Sequence, residues 1–192
     1  MSELNRLIKE LCHNGVEYIK IGNIATVSRG IRVVKEQLKT DGKFPVYQNS
    51  IKPLGYYKES NCKANTTFII GAGSAGEIGF SPIEFWSADD CYYFICSEKI
   101  TDKFLYYALN CQYDFIKSQV RKASVPRLAR TVIEKIKIPV PPLDVQCEIV
   151  RILDEYSEKN DELIKSLYKE IELRKKQYEY YRDKLLNFEK KQ

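Results

Sequence analysis

The chain has one histidine, His13. Ser–His or Cys–His catalysis would have to rest on that residue, in what reads as a terminal helix. The six cysteines (Cys12, Cys62, Cys91, Cys96, Cys111 and Cys147) contain no C-x-x-C pair. A structural zinc site needs Cys and His clustered at short spacings, so no metal is expected. No apolar run reaches the roughly eighteen residues that cross a bilayer. The N-terminus "MSELNRLIKELCHNG" is charged and amphipathic, without the apolar core of a signal peptide. The cysteines therefore read as free thiols, and the expected compartment is cytoplasmic, with no membrane partner and no cofactor. The sole Pro-Pro lies in "VPPL", so the N/D-P-P-Y/F loop of a self-contained amino-methyltransferase is missing. No carboxylate–lysine cluster of a nuclease stands out either. An enzyme is not expected.

Proline and glycine are also missing from the end of the chain. After Pro142 the run "LDVQCEIVRILDEYSEKNDELIKSLYKEIELRKKQYEYYRDKLLNF" has neither. A continuous helix there is about 70 Å long at 1.5 Å per residue, against about 11–12 residues for an ordinary helix. Its apolar residues step by threes and fours. One stripe is Ile149, Leu153, Tyr156, polar Asn160, Leu163 and Leu167. The next is Ile164, Leu167, Ile171, polar Arg174, Tyr178, Tyr181, Leu185 and Phe188. Consecutive steps of four at Leu163, Leu167 and Ile171 join them, which is a stutter. A heptad stripe on an unbroken helix calls for a partner helix, so this element reads as a coiled-coil spacer.

What precedes it reads as one globular domain. Residues 1–138 carry 20 Lys+Arg against 14 Asp+Glu, and residues 139–192 carry 11 against 12. The net positive charge of the whole, +5, thus belongs to the domain, which fits a partner that is a polyanion. In order, Ser2 can cap a short helix over 2–13 with Leu4, Leu7, Ile8 and Leu11 on one face, ended by Asn14-Gly15. Ile19, Ile21 and Ile24 look buried. Asp41-Gly42 is a turn leading to a strand at Val46 and Tyr47. "LGYYKES", "NTTFIIG" and "IEFWSADDCYYFICS" supply further strands, with Trp86 in or beside the core. "DKFLYYALNCQYDFIKSQV" reads as one helix capped by Asp102, and "TVIEKIKIPVPP" as a final strand that the prolines stop. A domain boundary falls near 139, giving units 1–139 and 140–192. The fold class expected is α+β: a mixed domain with a twisted, mainly antiparallel sheet, followed by one long C-terminal coiled-coil helix.

"GAGSAGEIGF" contains a literal G-x-G-x-x-G at Gly71, Gly73 and Gly76 after a strand. Dinucleotide binding needs a helix opening at the third glycine. The continuation "EIGFSPIEFW" is a poor helix, so a tight turn between two strands is the better reading, and an NAD enzyme is the weakest of the functions considered.

The order of "GVEYIKIGNIATVSRG", "FPVYQNS", "GAGSAGEIGF", "FLYYAL", "SVPRLA", "IKIPVPPLDVQCEIVRILDEY" and "YYRDKLLNF" resembles a specificity subunit of Type I restriction-modification systems. The junction "IPVPPLDVQCEIVRILD" is the most specific part. Family members usually carry two target-recognition domains, each followed by a long helix, whereas this chain has one of each and is similar to a half-subunit. The resemblance implies a domain that reads one half of a bipartite double-stranded DNA site. It implies catalysis in partner modification (methyltransferase) and restriction subunits, and pairing of the long helices antiparallel, here as a homodimer.

Lys and Arg of loops supply phosphate contacts, and bidentate side chains read bases. The phosphate candidates are Arg29, Arg32, Lys35, Lys43, Lys52, Arg121, Lys122, Arg127 and Arg130. Gln48, Asn49 and Arg127 are the candidates for base readout. Ser74 sits where a glycine turn lets backbone approach a phosphate. Asp89 and Asp90 read as a structural turn before they read as acceptors from cytosine. Two other functions compete: a coiled-coil interaction adaptor, and a single-stranded nucleic-acid binder using Tyr56, Tyr57, Tyr92 and Tyr93 as stacking platforms.

Overall fold

The computed structural model describes residues 3–39 and 42–188, with Lys35 described by its backbone alone. Ser2 and Asp41, assigned above to a cap and a turn, lie outside the described residues. The elements are α1 (Glu3–Leu11), β1 (Tyr18–Lys20), β2 (Ala25–Arg29), β3 (Phe44–Tyr47), β4 (Gly55–Tyr57), β5 (Thr66–Ile70), β6 (Ile78–Ser81), β7 (Trp86–Ser87), β8 (Cys91–Cys96), α2 (Asp102–Cys111), α3 (Tyr113–Ser118), α4 (Arg130–Lys135), β9 (Lys137–Pro139) and α5 (Leu143–Leu186). They form the expected α+β fold. Three sheets run in the orders β2-β8-β5-β6, β4-β3-β7 and β1-β9. All the pairings are antiparallel except β3 with β7.

Strand β5, TTFII, is buried along its whole length. Side chains alternate across a strand, so Ile69 enters one core while Phe68 and Ile70 enter another. The larger core joins Val27 and Phe94 to Phe104, Leu105 and Leu109 of α2. The smaller is aromatic: Tyr47 stacks on Phe68 at 4.5 Å, and Phe85 lies 5.3 Å from Phe68. Trp86 is half-buried, with its indole N–H donating to Ile31 O at 2.8 Å and its ring edge-on to Tyr57.

Three local expectations need correction. The stretch after Thr101 is two helices, because the backbone leaves helical geometry at Gln112 (φ −100°, ψ 13°). Thr101, not Asp102, is the cap: its hydroxyl accepts from Phe104 N–H, and Asp102 is already helical. The strand expected from Thr131 is helical up to Lys135. Val132, Ile133 and Ile136 recur at helical spacing, and their inward side satisfies the core before the strand begins.

The helix α5 has 44 residues. The chain divides into compact units Met1–Val150 and Arg151–Gln192. The first includes the opening turns of α5, because Val145 and Gln146 are buried there and Ile149 and Val150 pack against the main core. Gln146 acts as a clasp. Its amide accepts from Thr101 N–H at 3.0 Å and donates to Lys99 O and Pro141 O, both at 2.8 Å. In the second unit the helix carries exposed apolar side chains and i,i+4 ion pairs, among them Arg151–Glu155, Glu155–Lys159 and Glu172–Lys176. Among the described residues no helix is long and apolar enough to cross a membrane.

Candidate nucleic-acid interface

The glycine turn between β5 and β6 is a hub. Gly73 and Gly76 take φ of +86° and +85°, a region that favours glycine. The tight reversal exposes amides that other loops then occupy. Ser74 N–H donates to Asn49 O at 2.9 Å and Gly73 N–H donates to Pro126 O at 3.2 Å. Leu128 N–H donates back to Gly71 O at 2.8 Å. Gly71 and Ala72 N–H both donate to Asp90 O. No helix opens at Gly76, so the motif is a hairpin turn and not a dinucleotide cradle.

Around this hub five segments converge. Arg29, at the end of β2, donates through Nε to Asp89 O at 2.6 Å. Ala88 N–H donates to Tyr47 O, which fixes the start of the Gln48–Asn49 loop. Gly30 lies so close to the Ser87 and Ala88 carbonyls that a Cβ there would sit 2.2 and 2.3 Å from them. The basic loop closes on itself through Arg121 N–H to Arg127 O and Arg127 N–H to Arg121 O. Lys117 Nζ ties α3 to the hub through Ala75 O at 3.0 Å. The result is a set of loops held by backbone bonds and by the side chains of Arg29 and Lys117.

Arg29, Asn49 and Arg127 are exposed members of this set, and Gln48 is half-buried beside them. Arg29 and Arg127 flank a cavity of about 80 Å³ that Asp89, Asp90 and Tyr92 also line. Asp89 Oδ1 is buried there without a hydrogen-bond partner. Asp89 and Asp90 work mainly through their carbonyls, as a turn. Ser74 is half-buried and its N–H is committed to Asn49, so that amide is not available to a phosphate. Arg121 and Lys122 are exposed on the closed basic loop.

The other candidates lie apart or are engaged. Arg32 is exposed two residues beyond Gly30, and Lys52 is exposed in the loop between β3 and β4. Lys43 stands at the opposite end of β3 from Gln48, about 16 Å along the strand, with its ammonium 5.2 Å from the Phe44 ring centroid. Arg130 opens α4 and pairs with Glu134 at 2.7 Å. The side chain of Lys35 lies outside the described residues. Exposed Ile31, Ile51 and Val125 accompany the polar residues on three of these loops, and nothing in their sequence context marks them.

The tyrosine platform does not assemble. Tyr57 packs on Trp86, Tyr92 lies under Gly71 and against the main core, and Tyr93 packs on the aromatic core. Of the four, Tyr56 alone is exposed. Burial pushes the thiols of Cys62 and Cys91 up to about 12, and Cys96 upward as well, so none of these supplies a thiolate near neutral pH.

On the long helix, Leu153, Tyr156, Leu163, Ile164, Leu167, Ile171, Tyr178, Tyr181 and Leu185 are all exposed, and Phe188, also exposed, lies two residues beyond the helix end. Ile149 is half-buried, packed against the domain core.

The profile of the Type I restriction modification DNA specificity domain matches residues 13–173. A candidate type I restriction enzyme specificity subunit of Haemophilus influenzae is 34% identical over 184 residues, covering 91% of this chain and 47% of that protein. The type I restriction enzyme MpnII specificity subunit of Mycoplasma pneumoniae is 29% identical, covering 92% and 54%. The chain thus spans about half the length of these relatives. The solved S subunit of a Type-I restriction-modification system from M. genitalium shares the fold, with a TM-score of 0.70 at 21% identity over 78% of this chain and 41% of that one. With a match that runs from residue 13 to residue 173, through the domain and most of the long helix, the chain belongs to the family of type I restriction-modification DNA specificity domains.

Proposed function

We propose that the chain is the non-catalytic, sequence-reading component of a type I restriction-modification assembly. Residues 1–139 read one half of a bipartite, gapped duplex site. Residues 140–192 pair antiparallel with a second copy and offer a surface to the modification and restriction subunits, which carry the chemistry. The observation that carries this reading is the convergence of Arg29, Gln48, Asn49 and Arg127 around the glycine hub. Backbone bonds hold the loops of Asn49 and Arg127, which leaves those side chains to specify bases, while Arg29 also ties its own loop through Nε to Asp89 O.

The division of labour follows from donor geometry. Arg127 and Arg29 suit guanine O6/N7, and Gln48 or Asn49 suits adenine N6/N7. Arg32, Lys52, Arg121 and Lys122 supply sequence-independent phosphate contacts. Lys43 and Arg130, displaced or paired, contribute less. Each base pair read is worth about 1–3 kcal/mol, so one domain discriminates weakly. Two rigidly linked domains discriminate better through effective concentration, and a closed twofold dimer supplies two identical readers.

Binding to duplex DNA, measured by fluorescence anisotropy with partner subunits present, tests the reading. Neutralising 6–10 phosphates lowers affinity by about 10³–10⁵ between 50 and 200 mM salt. A salt-insensitive interaction, or a preference for single strands, contradicts it.

A further inference from the structure

The stripe of α5 that runs from Ile149 to Leu185 through Leu163 has the same spacing in both directions from Leu167, with Ile164 lying beside it and mirrored by Glu170. Toward the C-terminus it passes Ile171, Arg174, Tyr178, Tyr181 and Leu185. Toward the N-terminus it passes Leu163, Asn160, Tyr156, Leu153 and Ile149. Both series step four, three, four, three, four. A twofold axis across two antiparallel identical helices maps each position onto its mirror, so such a pair needs this symmetry and a parallel pair does not.

We infer that two copies of the chain pair antiparallel with the twofold axis at Leu167, so that Asn160 of each copy faces Arg174 of the other. This inference rests on the homodimer proposed above and goes beyond it by fixing the register. Asn160 and Arg174 are the polar residues of the stripe, and they lie seven residues either side of Leu167. In the mirror register each Asn160 amide oxygen meets a guanidinium, which it can accept from. A parallel register would set Arg174 against Arg174, two like charges in one layer. An antiparallel register slipped by one heptad would set Asn160 against Leu167 or Tyr181 and Arg174 against Leu153 or Leu167, and would lose the contact between the two polar residues.

The remaining layers are apolar or aromatic on both sides. Leu163 faces Ile171, Tyr156 faces Tyr178, and Leu153 faces Tyr181. The layer of Ile149 and Leu185 is the last, because Ile149 also packs on its own domain. The stutter falls on the axis. Between Ile149 and Leu167, and again to Leu185, five steps span eighteen residues. The mean step equals the helix's own repeat of about 3.6 residues, so the stripe does not drift and the two helices stay nearly straight.

The register sets the ruler. From Val150 to Leu167 and on to Val150 of the second copy is about 51 Å along the helix axis. A slip of one heptad changes that distance by about 10 Å, or three base pairs of duplex. A unique register therefore means a unique gap in the recognised site.

Cysteine cross-linking of the full chain tests the register, in a background with the exposed thiols removed (Cys111→Ser, Cys147→Ser). A disulfide requires Cα atoms within about 7 Å. Leu167→Cys, on the axis, and the double variant Asn160→Cys/Arg174→Cys should form covalent dimers on mild oxidation. Asn160→Cys alone should not, since its two copies lie about 21 Å apart along the helices. Cross-linking by Asn160→Cys alone brings the two Asn160 positions together, which this register forbids, and overturns the inference. A chain that sediments as a dimer but cross-links in any other pattern refutes the register and leaves the homodimer standing. A chain that sediments as a monomer removes the homodimer itself, and the register with it.

Discussion

Replacing Gly73 by alanine separates the recognition loops from the fold beneath them. The added methyl group would lie 2.7 Å from Asn49 Cβ and 2.9 Å from Asn49 O. Both atoms are tied to the backbone, so no side-chain rotation relieves the clash. The residue also keeps a positive φ, at a cost of about 1–2 kcal/mol for an L-amino acid. The bonds from Ser74 N–H to Asn49 O and from Gly73 N–H to Pro126 O are lost if the turn releases, each worth about 1 kcal/mol. The penalty is therefore about 3–4 kcal/mol at most. Domains commonly hold about 5–15 kcal/mol, and no core side chain is touched, so the domain stays folded. The Gln48–Asn49 and Arg121–Arg127 segments then lose their common anchor. Losing the reading of one base pair weakens binding to the methylated site roughly tenfold to hundredfold. Urea unfolding followed by the single tryptophan, Trp86, measures the first effect, and anisotropy with the duplex that the assembly methylates measures the second. Ser74→Ala is the control, because the backbone of Ser74 makes the bond. Wild-type binding by Gly73→Ala, or equal damage from Ser74→Ala, would refute the hub as the organiser of the interface.

Removing the clasp by Gln146→Ala should destabilise the first unit by about 3 kcal/mol, since three hydrogen bonds to buried or part-buried backbone groups are lost; urea midpoints check this. Ile171→Asp and Leu185→Asp should each shift the proposed dimer to monomer in sedimentation, because a charge enters an apolar layer, while circular dichroism of the domain is unchanged. Replacing both Arg121 and Lys122 by alanine should lower the slope of log affinity against log salt by about 1.8, whereas Arg130→Ala, already paired with Glu134, should change it less.

The long helix was legible because nothing after Pro142 breaks it and its stripe repeats for many turns. Strand β5 was legible from its aromatic and β-branched run, and the glycine turn from the poor helix that follows it. The misreadings have local causes. Ile133, Ile136 and Ile138 satisfy helical and strand spacing in part, so α4 was absorbed into the strand. Gln112 carries no breaker signature, so the helix around it read as continuous. Gln146 looks like an ordinary polar helix residue, and its burial depends on carbonyls of distant segments. The candidate interface was half legible. Residue types picked out Gln48, Asn49, Arg29 and Arg127, but their meeting depends on amide-to-carbonyl bonds such as Ser74 to Asn49 and Gly73 to Pro126. Backbone atoms are the same in every residue, so such bonds leave no mark on sequence. Lys43 illustrates the converse. It is close to Gln48 in the chain, yet an extended strand carries the two apart.

Sequencing the methylated bases of a host that carries this chain with its modification subunits tests the central claim most directly. The expected result is a gapped palindrome whose two halves are read by two copies, lost on Gly73→Ala. An asymmetric bipartite site would contradict the twofold pairing, and a methylation pattern indifferent to this chain would contradict its role as the reader.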